Sequence, residues 1–171
     1  MDPYIQLDLA EDRGEKKLED ITYYQAVVGS LMYAAFATRP NILYAVAALA
    51  EYNSRQFTSH MPAAKRVLQY LESTADFGLE LTSNGIGIGI GTAIDNSLVG
   101  YFDSDWANDS ADPKSQGGHV ILSSNGAISW QSRKQSLIAM SPLEAEFIAC
   151  SEASIEANWL LHLQQVIHGK D

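Results

Sequence analysis

The chain holds one cysteine, Cys150, in 171 residues. That excludes an internal disulfide and any cysteine-rich zinc site, and it fits a reducing compartment. No apolar run approaches the roughly 20 residues of a membrane span. The opening MDPYIQLDLAEDRGEKKLED is too acidic and polar for a signal peptide. Basic residues are also scarce: 11 Lys and Arg stand against 21 Asp and Glu, a net charge of -10. A strongly basic nucleic-acid surface is thereby excluded, because phosphate affinity comes largely from Lys and Arg displacing counterions. The four histidines, His60, His119, His162 and His168, lack metal-ligand spacing and are expected at surface or strand positions.

What is present is enough for a sizeable core, with 46% of residues hydrophobic. The length suggests one main domain with a smaller attached piece. The acid is unevenly spread. Residues 1–20 carry seven acids and three bases, residues 21–97 five and four, and residues 98–171 nine and four. Excess acid around a candidate site points to a bound cation rather than to bare phosphate contact.

Residues 1–20 read as a solvated acidic arm or helix lead-in. From Ile21 the stretch ITYYQAVVGSLMYAAFA is an apolar helix, broken at TRPN by Pro40. NILYAVAALAEYNSR restarts with Asn41 as N-cap. SHMPAAKRVLQYLES makes a third helix with Val67, Leu68 and Leu71 as its stripe. The aromatics Tyr23, Tyr24, Tyr33, Phe36 and Tyr44 are expected to pack rather than to stack on bases. After TADFG the period moves toward two. LELTS suits a short strand, and GIGIGIGTAI, beginning at Gly85, suits a flexible strand or hairpin; it lacks the strand-to-helix context of a dinucleotide loop. LVGYFDSD, GGHVILSS and GAISWQS are strand candidates, the last two joined by a tight turn at Asn125-Gly126. One long helix then runs from about Pro142 to His168, with Ser141 and Glu144 as a capping box.

Two carboxylates stand out. On the last helix Leu143, Phe147, Cys150, Ala153, Ala157, Leu160 and Leu161 share one apolar arc, and Glu146 falls inside it. Such a carboxylate needs a cation or hydrogen-bond donors, unless it sits at the edge of the stripe or bonds a backbone amide. On the first strand, alternation puts Val99, Tyr101, Asp103 and Asp105 on one face. Asp103 is then either a turn or cap residue, the role expected of Asp105, Asp109 and Asp112, or a partner of Glu146 on a hard divalent cation.

The blocks YQAVVGSLMYAAFATRPNILYAVAALA, AAKRVLQYL, GYFDSDWANDSADPKSQGGHV, GAISWQSRKQ and SPLEAEFIACSEASIEANWL resemble, in the same order, the Pol polyprotein of copia-type retrotransposons. The match falls at the end of the reverse transcriptase and the start of the ribonuclease H domain. The resemblance implies an α+β or α/β fold: a helical thumb-like segment followed by a truncated ribonuclease H-like fold of three antiparallel strands and a long helix. The implied parts are an acidic arm over 1–20, a thumb or connection-like region over 21–82, a Gly-rich linker or hairpin over 83–97 and a partial ribonuclease H-like domain over 98–171.

By resemblance Asp103 and Glu146 are metal ligands and catalytic residues, with Asp105 a further candidate ligand. The implied reaction is hydrolysis of the RNA strand of an RNA–DNA hybrid with Mg²⁺ or Mn²⁺, one ion activating water and the other stabilising the leaving oxygen. Arg133, Lys134, Lys65 and Arg66 are candidate phosphate contacts. In the family a third acidic ligand stands in a later block resembling CDN; the chain reaches Asp171 without one, and the polymerase's paired aspartates are absent upstream. His119 stands where an aromatic is usual, and Pro142 where a small hydroxyl residue often sits. Cleavage is therefore expected only where Asp105 or Asp109 substitutes, or another chain completes the set. The alternative is a non-catalytic scaffold, nucleic-acid-binding or interaction protein. Expected partners are an RNA–DNA hybrid or other nucleic acid, the rest of a Pol polyprotein, or a second copy, with no membrane. The expected location is the cytoplasm, a virus-like particle or the nucleus.

Overall fold

The computed structural model describes residues 19–54, 57–81, 98–106, 113–123 and 126–168. The Gly85 repeat, Asp109, Asp112 and the turn residue Asn125 lie outside them. The chain divides into two compact units, Met1–Gly78 and Leu79–Asp171.

The first unit is built from α1 (Ile21–Ala37), a 3₁₀ helix (Pro40–Ile42), α2 (Leu43–Ala50) and α3 (His60–Ser73). Helix α1 starts where the Asp20 carboxylate accepts the Tyr23 N–H at 2.9 Å, satisfying one of the donors that a helix start leaves open. It stops before Pro40, which cannot supply the next backbone donor. Tyr24, Val28, Leu31 and Ala35, spaced by three and four, are its buried face, and they meet Val46 and Leu49 of α2 and Ala64 and Val67 of α3. The Tyr24 hydroxyl donates to the Leu49 carbonyl at 2.9 Å. Burial, aided by Tyr52, pushes its phenol far above the ordinary tyrosine range.

Several expectations change here. Asn41 does not cap α2, whose N-cap is Ile42 with no side-chain bond. The Pro40 turn places Asn41 instead between Arg39 Nε, which donates to it at 3.3 Å, and the Tyr70 hydroxyl, to which its amide donates at 2.8 Å. On α3, Ala63, Ala64 and Val67 are buried, Leu71 is half-buried and Leu68 is exposed. Of the five aromatics expected to pack, Tyr24 alone is buried; Tyr23, Tyr33, Phe36 and Tyr44 are exposed, because α1 and α2 each turn one face inward. His60 is not at the surface. It is fully buried, its ring centroid 4.4 Å from Tyr52 and edge-on to Phe57 at 5.8 Å, with Nδ1 accepting the Phe57 N–H at 3.2 Å.

The second unit is an antiparallel meander, β1 (Val99–Asp105), β2 (Gln116–Ser123) and β3 (Gly126–Lys134), followed by α4 (Pro142–His168). Ser104 pairs with Gly117 and Phe102 with His119 across β1 and β2, and Gly117 pairs with Arg133 across β2 and β3. Residues 79–81 of the expected LELTS strand are not strand, but they pass so near β3 that a Cβ on Gly126 would lie 2.5 Å from the Glu80 carbonyl oxygen. Helix α4 opens with the Ser141 half of the expected capping box, and the Glu144 side chain reaches one residue further back than the motif requires. Ser141 Oγ accepts the Glu144 N–H at 3.2 Å, and the Glu144 carboxylate accepts the Met140 N–H at 2.7 Å.

The face that α4 turns to the sheet differs from the expected one. Ala145, Ala149, Ala153 and Leu160 are buried, whereas Leu143 and Phe147 are 73% and 75% exposed. The buried arc is rotated by about a quarter turn from the arc of large residues, at roughly 100° per residue. The reason is close approach. β2 presents Gly117 to the helix, and a Cβ there would already lie 3.9 Å from the Ala149 Cβ. Large side chains cannot enter that gap. Ala149→Leu is expected to destabilise the second unit by about 1–3 kcal/mol through overpacking; urea unfolding followed by circular dichroism measures it, and an unchanged midpoint would refute the close contact.

Candidate functional site

Antiparallel partners point to the same side of a sheet, so register assigns the faces. A Cβ on Gly117 would point at Ala149, 3.9 Å from its Cβ, the Ser129 hydroxyl donates to the Glu156 carboxylate at 2.7 Å, and Arg133 meets Glu152 at 3.1 Å. The side carrying residues 117, 119 and 121 of β2, 129, 131 and 133 of β3, and 100, 102 and 104 of β1 therefore faces α4. Asp103 and Asp105 lie on the opposite face. Asp103 is exposed, and its Oδ1 accepts the N–H of Ser104 at 2.9 Å.

Glu146 stands on the first turns of α4, beside the buried stripe rather than within it, and is exposed. In the expected arc it falls between Ala153, which is buried, and Ala157, Cys150 and Leu161, which are half-buried or exposed, so it stands at the border of the buried stripe. The indole of Trp106 donates to the Ala139 carbonyl at 3.0 Å, tying the C-terminal end of β1 to the segment that leads into α4. Asp103, Asp105 and Glu146 are thus brought to the same end of the unit, with Asp103 and Glu146 on different surfaces of it. No group of three or more His, Cys, Asp or Glu side chains among the described residues is placed to hold a metal ion.

The four basic candidates are distributed as follows. Lys65 and Arg66 project from the exposed side of α3 in the first unit; Arg133 is exposed on β3 but paired to Glu152; Lys134 ends β3 and is half-buried. Two polar groups were invisible in the sequence. Gln135 is almost fully buried, and its amide donates to the Ala145 carbonyl at 2.8 Å, joining the end of β3 to the turn of α4 that carries Glu146. Arg39 is buried; its guanidinium donates to the carbonyl and hydroxyl of Thr74 at 3.0 and 2.6 Å and lies 5.9 Å over the Tyr70 ring. The bond from Arg39 to Asn41 was the one local signal, since both flank Pro40.

Similarity to known proteins bears on this arrangement. Over 137 residues the chain is 42% identical to secreted RxLR effector protein 161 of Plasmopara viticola, covering 80% of this chain and 90% of that protein. It is 40% identical over 147 residues to the retrovirus-related Pol polyprotein from transposon RE2 of Arabidopsis thaliana, and 39% identical over 142 residues to the one from transposon TNT 1-94 of Nicotiana tabacum. The chain belongs to the copia-type retrotransposon Pol family. It covers 9% and 10% of the length of those two polyproteins. No family model and no solved structure matches it.

In this Pol-family chain no helix among the described residues is long and apolar enough to cross a membrane. The residue that departs from the usual pattern, His119, lies on the α4 side of β2 and is half-buried. Burial lowers its pKa below the ordinary histidine value; Glu156 and Glu152 oppose that shift, and Arg133 adds to it. A lowered folded-state pKa means that the fold favours the neutral ring. Its contribution is therefore complete above the unfolded value of about 6.5 and is lost as pH falls from there through the folded pKa. The urea midpoint of the parent is expected to drop more between pH 7.5 and pH 5 than that of His119→Gln, and equal drops would contradict the assignment.

Proposed function

We propose that residues 98–171 are the ribonuclease H-like part of a retrotransposon-derived Pol chain, and that residues 21–82 correspond to the thumb or connection region of its reverse transcriptase. On this reading Asp103 and Glu146 are the chain's contribution to a Mg²⁺ or Mn²⁺ site for hydrolysis of the RNA strand of an RNA–DNA hybrid. The observation that carries it is the Trp106–Ala139 bond at 3.0 Å, which holds the Asp103 end of β1 beside the Glu146 end of α4. The described residues do not fit a complete two-ion site. Asp103 and Glu146 occupy different surfaces, and no third acid joins them in a group that could hold an ion. Asp105, or donors from another chain, would have to complete it. Arg133, Lys134, Lys65 and Arg66 are the proposed phosphate contacts, and the cytoplasm, the nucleus or a virus-like particle is the proposed location.

A second reading, a non-catalytic interaction protein, is favoured by one observation: the chain spans 90% of a protein named as a secreted effector. Calorimetric titration with Mn²⁺ and cleavage of an RNA–DNA hybrid in Mg²⁺ test both. The first reading expects saturable Mn²⁺ binding that Asp103→Asn and Glu146→Gln each weaken at least about tenfold, in line with the loss of one ligand from a small set. Identical titrations would sink it. Hybrid cleavage that disappears in Asp103→Asn would sink the second.

A further inference from the structure

The second half of α4 carries exposed apolar side chains, beyond the turns at which Glu152 and Glu156 meet Arg133 and Ser129 of β3. At about 100° per residue, Ile155, Trp159, Leu163, Val166 and Ile167 fall within an arc about 120° wide. Their side chains are between 41% and 77% exposed. Ser151, Ser154, Asn158 and Gln165 lie on another side of the helix, so the apolar arc has a polar boundary. A helix face of this width ordinarily lies against a packed surface, and contiguous apolar exposure of several hundred Å² marks a contact site.

We propose that this arc is a dimer interface, through which two copies of the chain pack α4 against α4 in antiparallel fashion about a twofold axis. A twofold contact uses the same patch on both copies, so one self-complementary surface suffices. Charge selects this partner and this place. The chain carries a net charge of -10, and a like-charged copy is repelled over most of its surface. The acids of α4, Glu144, Glu146, Glu152 and Glu156, all lie in its first part, whereas residues 157–168 contain none and carry His162. A crossing centred near Leu163 joins two acid-free segments, with Ile155 beside Glu156 at its margin, and opposes their helix dipoles. The area also fits. The five side chains expose roughly 600 Å² per copy, so that at most roughly 1,200 Å² is buried in all, the lower end of specific interfaces. Trp159, one turn from that crossing, is the type of residue that anchors such contacts.

The inference rests on neither functional reading, and its test is sedimentation equilibrium of the full chain under reducing conditions over about 1–200 µM, the range suited to an interface of this size. A reversible monomer–dimer equilibrium is expected, weakened at least tenfold by Trp159→Glu and by Val166→Glu. Phe147→Glu, on another side of the same helix, is expected to leave it unchanged. All three positions are exposed, so circular dichroism should show the same helix content in each; the two arc variants check one another should either fail to fold. A monomer at every concentration overturns the proposal and leaves the arc to a different chain. So does a dimer that neither arc variant weakens, or one that Phe147→Glu disrupts equally.

Discussion

The contact between Ala149 of α4 and the bare backbone of Gly117 governs the second unit. Because neither side brings a bulky side chain, the helix lies close on the sheet, and everything else on α4 is positioned by that closeness. Ala145 and Ala153 share the contact, and Gln135 can reach the Ala145 carbonyl from the end of β3. Glu152 and Glu156 are drawn over the sheet to Arg133 and Ser129. The same contact turns Glu146 out to the side and leaves the larger apolar residues without a partner in the described structure. A small-residue contact therefore fixes both the candidate site and the candidate interface.

The first unit is organised differently, around polar groups that are buried and satisfied. His60 is enclosed by Tyr52, Phe57 and Tyr24, and its Nδ1 accepts a backbone N–H. Arg39 directs its guanidinium at the end of α3. Buried polar groups are costly unless bonded, and once bonded they admit few alternative arrangements. The Arg39 bonds join the Pro40 turn to the end of α3 more specifically than apolar packing alone. The exposed aromatics Tyr23, Tyr33, Phe36 and Tyr44 contribute nothing to that core.

Much of the architecture was legible in the chain. Strands β1, β2 and β3 follow from period-two stretches, and α4 from its length, Pro142 and the Ser141 capping box, because these signals depend on neighbours a few residues apart. The copia-type Pol family was legible as well, since its blocks occur in order over most of the chain. The orientation of α4 was not. Periodicity ranks residues by hydrophobicity and so favours Leu143 and Phe147, while the sheet selects by size and takes the alanines. His60 and Asn41 were misplaced for a related reason: their surroundings include residues far away in the chain, Tyr24 for His60 and Tyr70 for Asn41.

The chain by itself determined its family, its helices and strands, and the two carboxylates that merit attention, because each is a matter of local spacing or ordered motifs. Tertiary structure alone decided which side of each element is buried. It brings Asp103 and Glu146 to one end of a unit but on different surfaces, because side-chain alternation in β1 and the alanine contact of α4 set their directions independently. Whether two carboxylates share a site depends on how a helix lies on a sheet, and here it lies so close that a Cβ on Gly117 would already be in van der Waals contact with Ala149.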